Sequence, residues 1–104
     1  MPTEVVPFTV VFPEWYDDRL EQETPSKGYL ADVEVRLANG SRYRLYFIDP
    51  VRLAQNLEDD TQAGRGYFAE PGLVVLPEVT TQAIREAAAG LFRDGFFRDL
   101  QPLS

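Results

Sequence analysis

Two periodicities organise the chain. In VVPFTVVF, residues 5–12, the side chains of Val6, Phe8, Val10 and Phe12 fall on alternate positions, the period of a strand with one apolar face. Pro7 has no N–H to give to a ladder, which suits an edge or a bulge. From Tyr29 to Leu37 the alternation continues, with Ala31, Val33, Val35 and Leu37 set against Asp32, Glu34 and Arg36. That is the pattern of a sheet with one wet face.

LANGS, beginning at Leu37, signals a hairpin, and parity selects its register. A two-residue turn at Asn39 and Gly40 would set Val35 opposite Arg44 and mix the two faces. A three-residue loop, Ala38 to Gly40 with Gly40 left-handed, pairs Val35 with Tyr43, Val33 with Leu45 and Glu34 with Arg44, keeping apolar with apolar and acid with base. The second register is the expected one.

Helical spacing appears twice. Asp49 and Pro50 supply an N-cap and a first-turn proline, followed by Leu53, Ala54 and Leu57 as an apolar stripe. Further on, Ile84, Ala87, Ala88, Leu91 and Phe92 recur at i, i+3, i+4, i+7 and i+8, with Thr80 as N-cap, Val79 and Ile84 placed as a hydrophobic staple, and Gly95 as a left-handed stop. TQAGRG is a flexible link, PGLVVLPEV has the length and apolarity of a buried central strand, and FFRDLQPL is a final short strand or docked tail. An exposed edge at Leu73 to Leu76 would instead be adhesive, joining two copies of the chain.

These elements predict one α+β domain over residues 1–104: a single-layer antiparallel sheet of about four to five strands with two helices packed on one face, in the order βββαββα. The length of 104 residues, 44% of them hydrophobic, suits one core.

Charge and missing residue types narrow the function. A net charge of −7 opposes nonspecific binding to nucleic acid or to anionic lipid and attracts a basic partner. The chain has neither cysteine nor histidine. It therefore has no disulfide, no thiol nucleophile, no imidazole for proton transfer near neutral pH, and none of the usual zinc, copper or haem ligands. No cofactor is expected. The opening MPTEVVPFTVVFPEW lacks a basic n-region and is too short to span a bilayer, so a cytoplasmic location is the default expectation.

The richest candidate surface is FPEWYDDRLEQE, where Trp15 and Tyr16 lie among Glu14, Asp17, Asp18, Glu21 and Glu23. Aromatic rings give contact area and carboxylates steer a cationic partner, which is what a surface binding Arg or Lys requires. The plainer alternative is a solvated loop with its aromatics turned onto the sheet. A second candidate, Glu58, Asp59 and Asp60, lies at a helix C-terminus, where the helix dipole favours cations. No D-x-D-x-D-G loop supports calcium, and adjacent acids do not make a coordination cage, so no metal site is expected. Gly64-x-Gly66 lacks the third glycine of a dinucleotide fingerprint, and RGYF, from Arg65, lacks the later aromatics of an RNA-recognition signature. Lys27, the only lysine, follows Ser26 directly, a poor geometry for a Ser-Lys pair.

The expectation is a non-enzymatic acidic protein-interaction module using Glu14, Trp15, Tyr16, Asp17, Asp18 and Glu21, with Glu58, Asp59 and Asp60 as a further patch. Its most specific form is an immunity or inhibitor protein directed at a basic toxin or enzyme, and its broader form an adaptor or accessory subunit. The competing expectation is a carboxylate-dependent ligand or enzyme site at the sheet end, built from Glu14, Asp17 or Glu70, in a pocket where one carboxylate is desolvated.

Overall fold

The computed structural model describes residues 7–103. Val6, expected on the first strand, lies outside them. The chain forms an α+β fold with one four-stranded mixed sheet and three α-helices: β1 (Phe8–Val11), α1 (Asp18–Lys27), β2 (Tyr29–Leu37), β3 (Arg42–Ile48), α2 (Pro50–Gln62), β4 (Leu73–Val75) and α3 (Thr81–Arg93), closed by a 3-10 turn at Phe96–Asp99. The strands lie in the order β1-β2-β3-β4, antiparallel except for β3 and β4, which run parallel.

The fully antiparallel sheet and the βββαββα order are thus corrected: β4 runs parallel, a helix stands between β1 and β2, and one strand rather than two lies between α2 and α3 among the described residues. α2 and its following link carry the chain back to the same end of the sheet, so β4 enters parallel to β3 as a crossover requires. An additional helix, α1, also stands between β1 and β2, in the stretch whose plainer reading was a solvated loop. Pro25 inside it disguises it, because proline removes the N–H that would bond to Glu21 and usually ends a helix. Its ends are nonetheless well marked: the Asp17 carboxylate accepts from Leu20 N–H at 2.9 Å, and Gly28 stops it at φ 80°.

The hairpin has the three-residue loop and the expected register, with Val35 opposite Tyr43, Val33 opposite Leu45 and Glu34 opposite Arg44. Gly40 takes φ 92°. Glu34 also meets Arg36 and Arg42 across the wet face. The simple alternation of β2 fails at one point: between Leu30 and Val33 the register shifts, and Asp32 adopts φ 63°. Ala31 and Asp32 together oppose one residue of β3, a β-bulge that brings Leu30 onto the same face as Val33.

That face carries the core. Val33, Val35, Leu45 and Phe47 are fully buried with Val79, Ile84 and Ala88, and Phe8, Val10, Leu91 and Phe92 pack around them. α3 begins as expected, with Thr80 accepting from Ala83 N–H at 3.0 Å, and Gly95 follows it at φ 77°. The C-terminal segment is a docked tail: Phe97 is buried against Tyr43, ring centroids 4.9 Å apart, and Leu103 N–H donates to the Arg42 carbonyl at 2.7 Å.

PGLVVLPEV departs from its expected central position. β4 is the sheet's outer strand, three residues long, with Val75 48% exposed and Leu76 buried beyond it. A short apolar run has the same composition whether one face or two are covered, so the run alone leaves its position in the sheet undecided.

Candidate functional site

Trp15 and Tyr16 are neighbours with opposite fates. A turn closed by Tyr16 N–H to the Pro13 carbonyl, 3.0 Å, points the tyrosine inward. There it stacks on Phe12, centroids 5.1 Å apart and planes 16° from parallel, and its hydroxyl shares a 2.9 Å hydrogen bond with Thr81 Oγ1 at the start of α3. Tyr16 therefore ties the β1–α1 connection to α3. Trp15 is turned outward and is 52% exposed. It borders a cleft of about 220 Å³ whose walls include Leu20, Thr24 and Lys27 of α1 and Tyr29 and Leu30 of β2.

The acids around it divide in the same way. Asp17 is occupied as the α1 cap, and Glu23 is paired with Arg19 at 3.2 Å and with Lys27 at 3.8 Å. Glu14, Asp18 and Glu21 are exposed and make no ion pair among the described residues. Asp18 and Glu21 occupy the first turn of α1, where carboxylates are favoured by the helix dipole. The helix begins at Asp18, with Asp17 as its cap. What remains is an exposed indole beside a small cleft of mixed lining, with Lys27 in its wall and three carboxylates nearby available to a cation.

Glu58, Asp59 and Asp60 lie in the last turns of α2, and that helix has no basic residue in its last turn. Arg65 N–H reaches the Asp60 carbonyl at 2.7 Å and Ala63 N–H the Asp59 carbonyl at 3.1 Å, which satisfies part of the helix end. This run is not joined to the Trp15 cluster by any described ion pair or side-chain hydrogen bond. α1 and α2 meet at their opposite ends, where Gly28 is pressed against Asp49 and Arg52 and any Cβ would collide with both. The nine predicted residues thus fall into two clusters.

A larger groove, about 630 Å³, is lined by β3, the β2 bulge, the segment before β4 and the C-terminal tail. Asp32 of the bulge, Arg44, Tyr46, Glu70 and Gly72 line it, together with the C-terminal tail. Gly72, at φ 72°, lies so close to β3 that a Cβ would strike the Arg44 carbonyl. Tyr46 stacks at 6.0 Å on Tyr29, over which the Arg52 guanidinium lies at 4.9 Å. Burial, then the neighbouring Glu70 and Tyr29, raises the Tyr46 hydroxyl above its ordinary pKa, against the opposing influence of Arg52.

Of the three acids proposed for a catalytic site, only Glu70 lines this groove; Glu14 and Asp17 do not. Both carboxylates here, Asp32 and Glu70, are exposed. Asp32 and Tyr46 were not singled out from the sequence. A bulge follows from the pairing of two strands, and one strand's alternation does not reveal it. Among the described residues no group of three or more potential ligands is arranged to hold a metal ion, and no helix is long and apolar enough to cross a membrane.

No family model, curated protein or solved structure matches the chain.

Proposed function

We propose that this protein is a binding module that captures a basic protein surface, with Trp15 as its anchor and Glu14, Asp18 and Glu21 as the steering charges. The observation that carries the reading is the contrast between adjacent rings: Tyr16 is folded into the packing and hydrogen-bonded, whereas Trp15 is left half in solvent at the lip of a small cleft. Half-exposed tryptophans beside small pockets are characteristic binding hot spots, because burial on contact removes a large apolar area from water at little conformational cost. The three carboxylates add attraction for Arg or Lys on the partner and speed the encounter more than they strengthen it. In its most specific form this is an inhibitor or immunity role towards a basic toxin or enzyme, and in its broader form that of an adaptor or accessory subunit.

Capture from the native cell, followed by direct titration of the recovered partner, tests the reading. A stoichiometric basic partner should bind the wild type, lose at least about tenfold in affinity on Trp15→Ala, and bind more slowly on Asp18→Asn with Glu21→Gln, above all at low salt. A partner held equally by all three proteins would remove Trp15 from the interface. Failure to recover any partner at both low and moderate salt would count against the module as a whole.

A further inference from the structure

We infer that the groove lined by Asp32, Arg44, Tyr46 and Glu70 is a binding site for a short extended peptide bearing an arginine or lysine. Its main-chain contact is set by the pairing of β3. Leu37 N–H donates to the Ser41 carbonyl, and from there the odd-numbered residues of β3 turn their backbone groups towards β2. The even-numbered residues turn theirs to the opposite edge, where the Arg42 carbonyl accepts from Leu103 N–H and Tyr46 N–H donates to the Gly72 carbonyl. Arg44 stands between those two bonds. Gly72 crowds its carbonyl, but its N–H has no hydrogen bond across that edge among the described residues. The tail and the Pro71–Gly72 turn thus pair with β3 on either side of a gap, and Arg44, Gly72 and Leu103 all line the groove. A peptide carbonyl placed there would accept from Arg44 N–H as the carbonyl of a neighbouring strand does.

Charge selects the side chain. Glu70 is exposed and makes no ion pair among the described residues, and Asp32 is held only loosely, 3.8 Å from the Arg44 guanidinium. Two carboxylates against one guanidinium leave the groove net negative, with Glu70 free for a cation. Asp32 reaches this position through the bulge, at φ 63°, a conformation that side chains other than glycine rarely adopt. Tyr46 adds an aromatic wall, and the stack it forms with Tyr29 already carries one guanidinium, that of Arg52 at 4.9 Å. Leu100 and Leu103 of the tail offer apolar surface to the stem of a long basic side chain. With only one residue of the edge open, the occupant is a segment of about two or three residues rather than a whole strand, and about 630 Å³ is room for a ligand of that size. The groove is separate from the Trp15 cleft, sharing only Ala31 as a wall, and takes its ligand whether or not Trp15 has a partner.

Titration of the isotope-labelled full chain with acetyl-Ala-Arg-Ala-amide, followed by amide chemical shifts, tests the inference. Up to about 10 mM peptide, the shifts should saturate and centre on Arg44, Tyr46, Gly72 and Gln101. Glu70→Gln, at an exposed position, should leave the thermal midpoint unchanged and weaken binding about threefold or more. Acetyl-Ala-Glu-Ala-amide should not bind. Arginine amide distinguishes a peptide from a free cation: it should bind more weakly than the tripeptide and move the Arg44 amide less. Absence of saturable shifts, unchanged affinity in Glu70→Gln, equal binding of the glutamate tripeptide, or arginine amide matching the arginine tripeptide would each overturn the inference. Shifts confined to the Trp15 cleft would overturn it too, while leaving the role of Trp15 standing.

Discussion

α2 and α3 are both 13 residues long, both begin at an oxygen-bearing cap and both carry an apolar stripe, yet α3 buries Ile84 and Ala88 while α2 buries nothing. The difference lies in what each stripe meets. α3 falls on the face where Val33, Val35, Leu45 and Phe47 already present a continuous apolar surface, and its own Ala87 and Ala88 let it approach closely. α2 follows β3 directly, and its inward face is the mixed set Arg52, Leu53, Asn56 and Asp60. Arg52 lies on Tyr29, on the side of the sheet away from the core. The lesson is that periodicity alone does not bury a helix: it needs a surface of matching width and chemistry. The molecule is elongated, with extents of 56 × 32 × 22 Å.

The sharpest way to break the comparison is to truncate one side chain on each helix. Ile84→Ala should destabilise by about 2–5 kcal/mol, through lost burial and the cavity left behind. Leu57→Ala should change stability by no more than about 0.5 kcal/mol when measured by urea unfolding. Similar losses at the two sites would mean that α2 is packed as firmly as α3.

Next in size is Gly72→Ala. Its positive φ and the clash with the Arg44 carbonyl should together destabilise by about 2–4 kcal/mol and loosen β4, which amide exchange at Tyr46 would report because its N–H donates to the Gly72 carbonyl.

The two caps offer a finer comparison. Thr80→Ala should remove about 1 kcal/mol from the global transition, because α3 melts with the core. Asp49→Ala removes an equivalent bond, the 2.7 Å contact from Arg52 N–H. It should appear mainly as fraying of α2, faster exchange along the helix with a smaller shift of the global midpoint. Equal global losses would show the two helices to be one cooperative unit.

The smallest effect is at alkaline pH. Since the folded Tyr46 holds its proton more tightly than the ordinary value of 10.0, the unfolded chain ionises first. The contribution to stability is complete below that value and is lost as pH climbs through the higher folded one. Tyr46→Phe should therefore lose less stability than the wild type between about pH 9 and pH 11, as read by urea midpoints at each pH.

These contrasts also explain what was legible in the sequence. The hairpin register, the Thr80 and Asp49 caps, the Gly95 stop and the α3 stripe all depend on residues close together in the chain, and each lies where local chemistry places it. The parallel β4, the bulge at Asp32 and the edge position of Leu73–Val75 depend on partners supplied from elsewhere, and no local pattern carries them. α1 was half-legible: Asp17 and Gly28 mark its ends, while Pro25 and the density of carboxylates argue for a loop. The aromatic-acidic segment was recognisable as a surface feature, but the different orientations of Trp15 and Tyr16 follow from the turn at Pro13 and the hydroxyl of Thr81, 65 residues away.

The binding role assigned to Trp15 is most directly tested by the indole itself, since it is the only tryptophan in the chain. Its fluorescence should be readily quenched by acrylamide, a neutral probe indifferent to the acidic surface, in the free protein, and strongly protected once the captured partner is bound. Equal quenching in the free and bound states, or an indole already shielded in the free protein, would contradict the account.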